Sequence, residues 1–294
     1  MENKRRWLAY TLYPVVLTLA LLYLLFPSQQ VKDFLQAKAE NSRFPLHISI
    51  GEVSPSLAFG LYLRGTEFSP QTAPDKILFR ADRLFIRPGI WTFLQGSFKF
   101  CFDGLVNDGS LEGCVRFDED DSEAPFSTSA TLRDIRVGKF EELENLMGRH
   151  IEGSLEGNLS YDGEIESLTE GAGEADLRLF NGRIELRQPV LSFDVLEFNE
   201  VSIRLTLKNR KVKLTYVEVK GPNIHGTLSG TISMRREFLD SNLDLKGTVD
   251  PSEGLFEGSE GASVTVPLLA EKLGGGPVSF AIRGTFKKPR FDLI

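Results

Sequence analysis

The chain has 294 residues, 41% hydrophobic and 26% charged, which supplies a buried core and excludes both wholesale disorder and a polytopic membrane protein. A formal net charge of -7 argues against a nucleic-acid binder, which needs a basic surface. Three histidines and two cysteines leave little for a zinc ribbon, and Phe, at 22 residues against six Tyr and two Trp, brings apolar area with no polar handle.

Lys4, Arg5 and Arg6 close a basic tail over residues 1–6, and an uncharged run follows from Trp7 to Phe26. A helix of that length, at ~1.5 Å per residue, matches a hydrocarbon core of ~30 Å. Trp7, Tyr10, Tyr23 and Phe26 stand near its ends, where interfacial aromatics anchor a span. The basic cluster stays on the cytoplasmic side, so the rest of the chain is expected on the other side. A cleaved signal peptide would have a shorter apolar region and small residues soon after it. The nearest candidate, Ala37-Lys38-Ala39, lies beyond charged Lys32 and Asp33, so a retained anchor is expected over 7–26. Residues 27–44 read as a juxtamembrane helix and linker, with Val31, Phe34, Leu35 and Lys38 at helical spacing.

Beyond residue 44 the period changes from 3.6 to 2. Ile224, Gly226, Leu228, Gly230, Ile232 and Met234 alternate with His225, Thr227, Ser229, Thr231 and Ser233. The stretches 201–208, 243–249 and 278–286 alternate likewise. Each predicts a strand with one apolar and one polar face. Turn signals separate them at Asn107-Asp108-Gly109, Asn181-Gly182, Asn209-Arg210 and Gly221-Pro222-Asn223. The fold class expected over 45–294 is mainly β: an elongated, curved, antiparallel meander. Short helical segments are expected at Phe140–Met147 and Pro267–Leu273.

Two motifs recur. Leu61 to Thr66, Leu243 to Thr248 and Phe280 to Thr285 all read apolar-x-apolar-basic-Gly-Thr. Gly-x-Leu-x-Gly appears at Gly109–Gly113, Gly153–Gly157 and Gly226–Gly230. Such repetition predicts a sheet extended by similar units. The glycines fall on the apolar face, where a missing side chain permits a sharp bend or a close approach to the backbone. Two outcomes stay open: coiling around a packed core, or an occupied apolar groove. The groove would be lined by Phe98, Phe100, Leu228, Ile232, Leu245, Phe280 and Ile282.

The basic N-terminus, the apolar run, the short helix, and Ile48-Ser49-Ile50-Gly51-Glu52-Val53 leading into Leu61-Tyr62-Leu63-Arg64-Gly65-Thr66 resemble the opening of AsmA-like proteins. The same order resembles the type II secretion system protein N family in its deltaproteobacterial form. Ile151-Glu152-Gly153-Ser154-Leu155-Glu156-Gly157 and the ending Gly284-Thr285-Phe286-Lys287-Lys288-Pro289-Arg290-Phe291 are similar to that family too. The resemblance spans essentially the whole chain and rests on the order of elements. It implies an inner-membrane, single-pass protein with a periplasmic β domain, acting in the general secretion pathway through contacts with other envelope proteins and without catalysis. The AsmA-like side implies instead a lipid-binding or lipid-transfer protein that shields phospholipid acyl chains.

No nucleophile elbow, His-Glu-x-x-His or phosphate loop is present, and no cofactor is expected. His47, His150 and His225 are scattered, with no partner close in sequence. The acidic run 118–123 lacks a calcium-loop framework and reads as a solvated loop, as does 250–263. Cys101 and Cys114 sit on the polar faces of two consecutive strands. A two-residue turn at Asn107-Asp108 sets them directly opposite each other, whereas a turn at Asp108-Gly109 sets them on a diagonal. An oxidising compartment closes the bridge in the first register.

Overall fold

The computed structural model describes residues 12–14, 17–18, 20–21, 23–41, 46–56, 59–71, 73–89, 97–117, 125–140, 150–165, 167–190, 193–222, 224–235, 237–251 and 277–294. Helix α1 (Ser28–Asn41) precedes the strands β1 (Leu46–Ser56), β2 (Gly60–Pro70), β3 (Phe79–Pro88), β4 (Phe98–Val106), β5 (Gly109–Phe117), β6 (Phe126–Arg136) and β7 (Ile151–Gly163). There follow β8 (Ala172–Val190), β9 (Phe193–Lys208), β10 (Lys211–Lys220), β11 (Ile224–Ser233), β12 (Asn242–Pro251), β13 (Val278–Thr285) and β14 (Pro289–Leu293). All fourteen form one open sheet in chain order. The pairings on either side of β10 and β11 are antiparallel, as in a meander. The fold is thus mainly β, as the alternation predicts.

Side chains divide cleanly between two faces, because pairing in register puts apolar residue opposite apolar residue. Leu245 lies between Gly230 and Ile282, and Leu243 between Ile232 and Gly284. Where the alternation slips by one residue, a left-handed backbone position absorbs the slip. Gly65 (φ 57°) and Asp134 (φ 53°) do this. Before Gly65 the core residue of β2 is Leu63, and after it Thr66, both buried. At Gly65 the pairing with β1 and β3 continues without a change of register, whereas at Asp134 the β6–β7 register shifts between Leu132 and Ile135, a bulge that keeps the strand's apolar side facing one way. Asn181 (φ 47°) works in the same manner. The Asn181-Gly182 turn expected from sequence is therefore a bulge inside β8, and the chain does not reverse there.

The core is concentrated at one end. Ile50, Val53, Leu63, Ala81, Leu84 and Val106 form a buried cluster, against which Val31 and Leu35 of α1 pack. The Lys32 ammonium donates to the Gly51 carbonyl at 3.0 Å and pins the helix to β1. Further along, an aromatic row crosses β4 to β7. Phe117 has its ring centroid 6.5 Å from Phe100 and 6.1 Å from Phe126, which lies 5.3 Å from Tyr161.

The glycines of this face have a specific use. A Cβ on Gly113 would stand 2.7 Å from the Phe102 ring, and one on Gly247 equally 2.7 Å from the Phe280 ring. Each Phe is the direct cross-strand partner of its glycine. What approaches the backbone at these positions is a neighbouring strand's ring on one side and, closer still, the Ser129 or Thr227 carbonyl on the other, so the glycines serve packing within the sheet.

Among the described residues no helix is long and apolar enough to cross a membrane. Trp7 and Tyr10 lie outside the described residues. Tyr23 stands on a helical stretch and is 49% exposed, whereas Phe26 packs against the β1–β5 cluster. Phe26 thus contacts the sheet, which follows from the chain turning at Pro27 directly into α1. The helix expected at Phe140–Met147 lies outside the described residues apart from Phe140, which follows a short 3-10 turn at Val137–Lys139. The segment 267–273, the acidic run 118–123 and nearly all of 250–263 are likewise outside them.

Candidate functional site

The seven residues expected to line an apolar groove do share one face. Leu245 is buried, at 6% exposure, while Phe98, Leu228, Ile232, Phe280 and Ile282 are half-buried and Phe100 is 40% exposed. They span β4 to β13 and do not enclose a cavity together. A cavity of about 1090 Å³ opens on the opposite, polar face. The Phe- and Leu-bearing face and this concavity thus lie on opposite sides of the sheet. The cavity takes about two polar-face residues from each strand between β3 and β9, so it is a trough running across the strands.

The trough is a surface of matched charges. Asp103 of β4 faces Glu112 of β5 directly, a like-charge pair that costs stability. Glu112 is taken up by Arg133 from β6. Asp176 of β8 accepts two hydrogen bonds from the Arg204 guanidinium of β9, at 3.1 and 2.8 Å. Thr131 donates to the Asn158 side-chain carbonyl at 2.8 Å. At one end Arg83 and Arg87 lie beside the tilted rings of Tyr62 and Phe85, whose centroids are 4.7 Å apart. A polar face so cross-linked keeps itself soluble and fixes strand order. Each exposed pair adds little stability, ~0–1 kcal/mol.

The Cys101–Cys114 disulfide forms part of the trough wall. Its origin is local. Asn107 (φ 48°) and Asp108 (φ 67°) both adopt the left-handed conformation of a two-residue hairpin turn. That turn sets Phe98 opposite Phe117 and Cys101 opposite Cys114, which is the direct register. Lys139 and Arg136 hold the turn from outside, both reaching the Asp108 carboxylate. The hydrogen bond from Lys139 lowers the pKa of that carboxyl.

Beyond the trough, on β10 and β11, a second polar cluster gathers around Glu218. The Tyr216 hydroxyl donates to its carboxylate, Lys220 approaches to 2.9 Å and His225 to 3.5 Å. The Tyr216 hydrogen bond, followed by Lys220, holds Glu218 below the usual carboxylate range. Each histidine in fact meets a glutamate: His47 stands 3.9 Å from Glu40, and His150 3.1 Å from Glu152. The His150 partner is only two positions away, on the same strand end. Sequence spacing hides it because an i, i+2 pair becomes a neighbour only once the strand is formed.

Among the described residues no three His, Cys, Asp or Glu side chains gather as a metal-ligand set. The arrangement can bind by shape, by hydrogen bonding along the trough and by apolar contact on the other face. No family model, no curated protein and no solved structure matches this chain.

Proposed function

We propose that the protein is an inner-membrane-anchored envelope component of the type II secretion pathway, working in the periplasm through protein contacts and without catalysis. The observation that carries the contact reading is the open sheet. Among the described residues its end strands β1 and β14 each pair on one side only, and an unpaired edge is a template for another strand. Support for the location comes from the basic residues Lys4, Arg5 and Arg6 placed before the uncharged run 7–26. Support for the pathway comes from the order of elements that resembles the secretion protein N family.

A second reading has its own observation. The apolar face is half-buried at Leu228, Ile232, Phe280 and Ile282, and an apolar surface of that kind suits acyl chains or another apolar partner. One pair of experiments separates the two. Deletion of the gene should leave pathway substrates in the periplasm instead of the medium. Protein purified from membranes should carry no stoichiometric phospholipid by mass spectrometry. Normal secretion together with bound phospholipid would replace the first reading by the second.

A further inference from the structure

The last strand is an edge with unmet chemistry on both faces. Among the described residues β14 pairs with β13 alone. The Ile294 N–H donates to the Ser279 carbonyl at 3.0 Å, so the backbone groups of residues 290, 292 and 294 turn toward β13. Those of Phe291 and Leu293, and the carbonyl of Pro289, therefore point outward. On the polar face Arg290 stands opposite Arg283, and Asp292 opposite Ala281. Arg283 has Asp244 at 3.9 Å, whereas Arg290 and Asp292 make no ion pair among the described residues. On the apolar face Phe291 and Leu293 are 69% and 68% exposed.

Read backwards, the segment Arg290-Phe291-Asp292 is its own electrostatic complement. We propose that β14 pairs antiparallel with β14 of a second copy of this chain, about a two-fold axis through Phe291, joining two sheets into one. Phe291 then exchanges two backbone hydrogen bonds with the partner's Phe291. The Leu293 N–H donates to the partner's Pro289 carbonyl, and symmetry repeats that bond. Pro289 has no N–H to give, so the ladder ends there. Arg290 lies opposite the partner's Asp292, and Asp292 opposite the partner's Arg290, which also relieves the Arg290–Arg283 opposition. The isologous contact closes on itself, so assembly stops at the dimer. This inference rests on β14 alone and stands apart from the secretion and lipid readings.

Sedimentation equilibrium of the full chain in detergent tests it. The unaltered protein should be a dimer. Arg290→Asp alone and Asp292→Arg alone should each be monomeric, with the dissociation constant raised about tenfold or more, because symmetry counts each clash twice. Mixing the two single variants should restore a dimer, now mixed, and the double variant R290D/D292R should dimerise by itself. An unchanged circular dichroism spectrum in each variant keeps misfolding out of the comparison. The proposal is overturned if the unaltered chain is monomeric, if either single variant dimerises as the unaltered chain does, or if mixing fails to restore association. Species larger than a dimer would also overturn it, since they signal head-to-tail pairing of β14 with β1.

Discussion

The two ends of the sheet use the same strand grammar and reach different states. At the β1–β5 end six apolar residues are at most 9% exposed, α1 lies across β1, and a disulfide ties β4 to β5. At the β10–β14 end the apolar face is also paired residue to residue, with one bulge between Leu214 and Val217, yet among the described large side chains of that face only Leu243 and Leu245 are buried. Alternation is common to both ends, so alternation does not decide burial. What decides it is whether a second layer lies on the face, because a sheet alone can cover an apolar surface from one side only. Helix α1 supplies that layer at one end.

The largest expected effect tests this contrast directly. Val53→Asp places a carboxylate at a site 1% exposed, where an unpaired charge costs several kcal/mol, about the whole stability of a domain. It should abolish the cooperative melting transition. Ile232→Asp, on the half-buried end, should keep the β signal in circular dichroism and a cooperative transition. If both variants unfold alike, the two ends are equally covered in solution and the contrast fails.

Reduction of the disulfide comes next. Cys101 and Cys114 stand 13 positions apart in sequence, and opening a loop of that size removes ~3 kcal/mol. The loss should appear as faster amide exchange in β4 and β5, with β11 to β13 little altered. Thiol labelling of denatured, unreduced protein should find no free cysteine. Labelling of both would remove the bridge and, with it, one cause of the difference between the ends.

How far the sequence foretold this contrast can be judged residue by residue. The strands around Ile224–Ser233 and Val278–Thr285 were readable because period 2 is a local property. So was the direct cysteine register, once Asn107-Asp108 is taken as the turn, since index arithmetic follows from hairpin geometry. Asn181-Gly182 misled because the same left-handed backbone serves a turn and a bulge, and only the neighbouring strands distinguish them. The trough was not legible. It draws its lining from seven successive strands, β3 to β9, and no single strand encodes that. Nor was the packing role of Gly113 and Gly247, because their partners Phe102 and Phe280 lie on other strands and the glycine motif omits them.

A smaller effect is expected at those glycines. Gly113→Ala forces a methyl against the Phe102 ring and the β6 backbone, an overpacking worth ~1–3 kcal/mol. Gly226→Ala, whose added carbon would meet Thr248 at 3.3 Å and Val249 at 3.6 Å, should cost less. Urea midpoints of the two variants compare them, and equal losses would show that ring-over-glycine packing contributes nothing particular at the disulfide end.

The smallest effect is a pH dependence at the open end. Glu218 sits below the usual value of 4.5, chiefly through the Tyr216 hydroxyl and then through Lys220. A carboxyl with a depressed folded-state pKa favours the fold while it is ionised in both states, above that usual value. The contribution fades as pH falls from there through the lower folded-state value, because protons bind the unfolded chain first. Melting temperature should therefore decline on acidification through this window, and Glu218→Gln should flatten that part of the curve. Because the hydroxyl is the leading cause, Tyr216→Phe should return the Glu218 carboxyl further toward its usual value than Lys220→Met does, as followed by carboxyl carbon chemical shifts. The reverse order would mean that charge, rather than the hydroxyl hydrogen bond, organises the polar face of β10. That face would then resemble the ion-paired trough between β3 and β9 more closely than its geometry suggests.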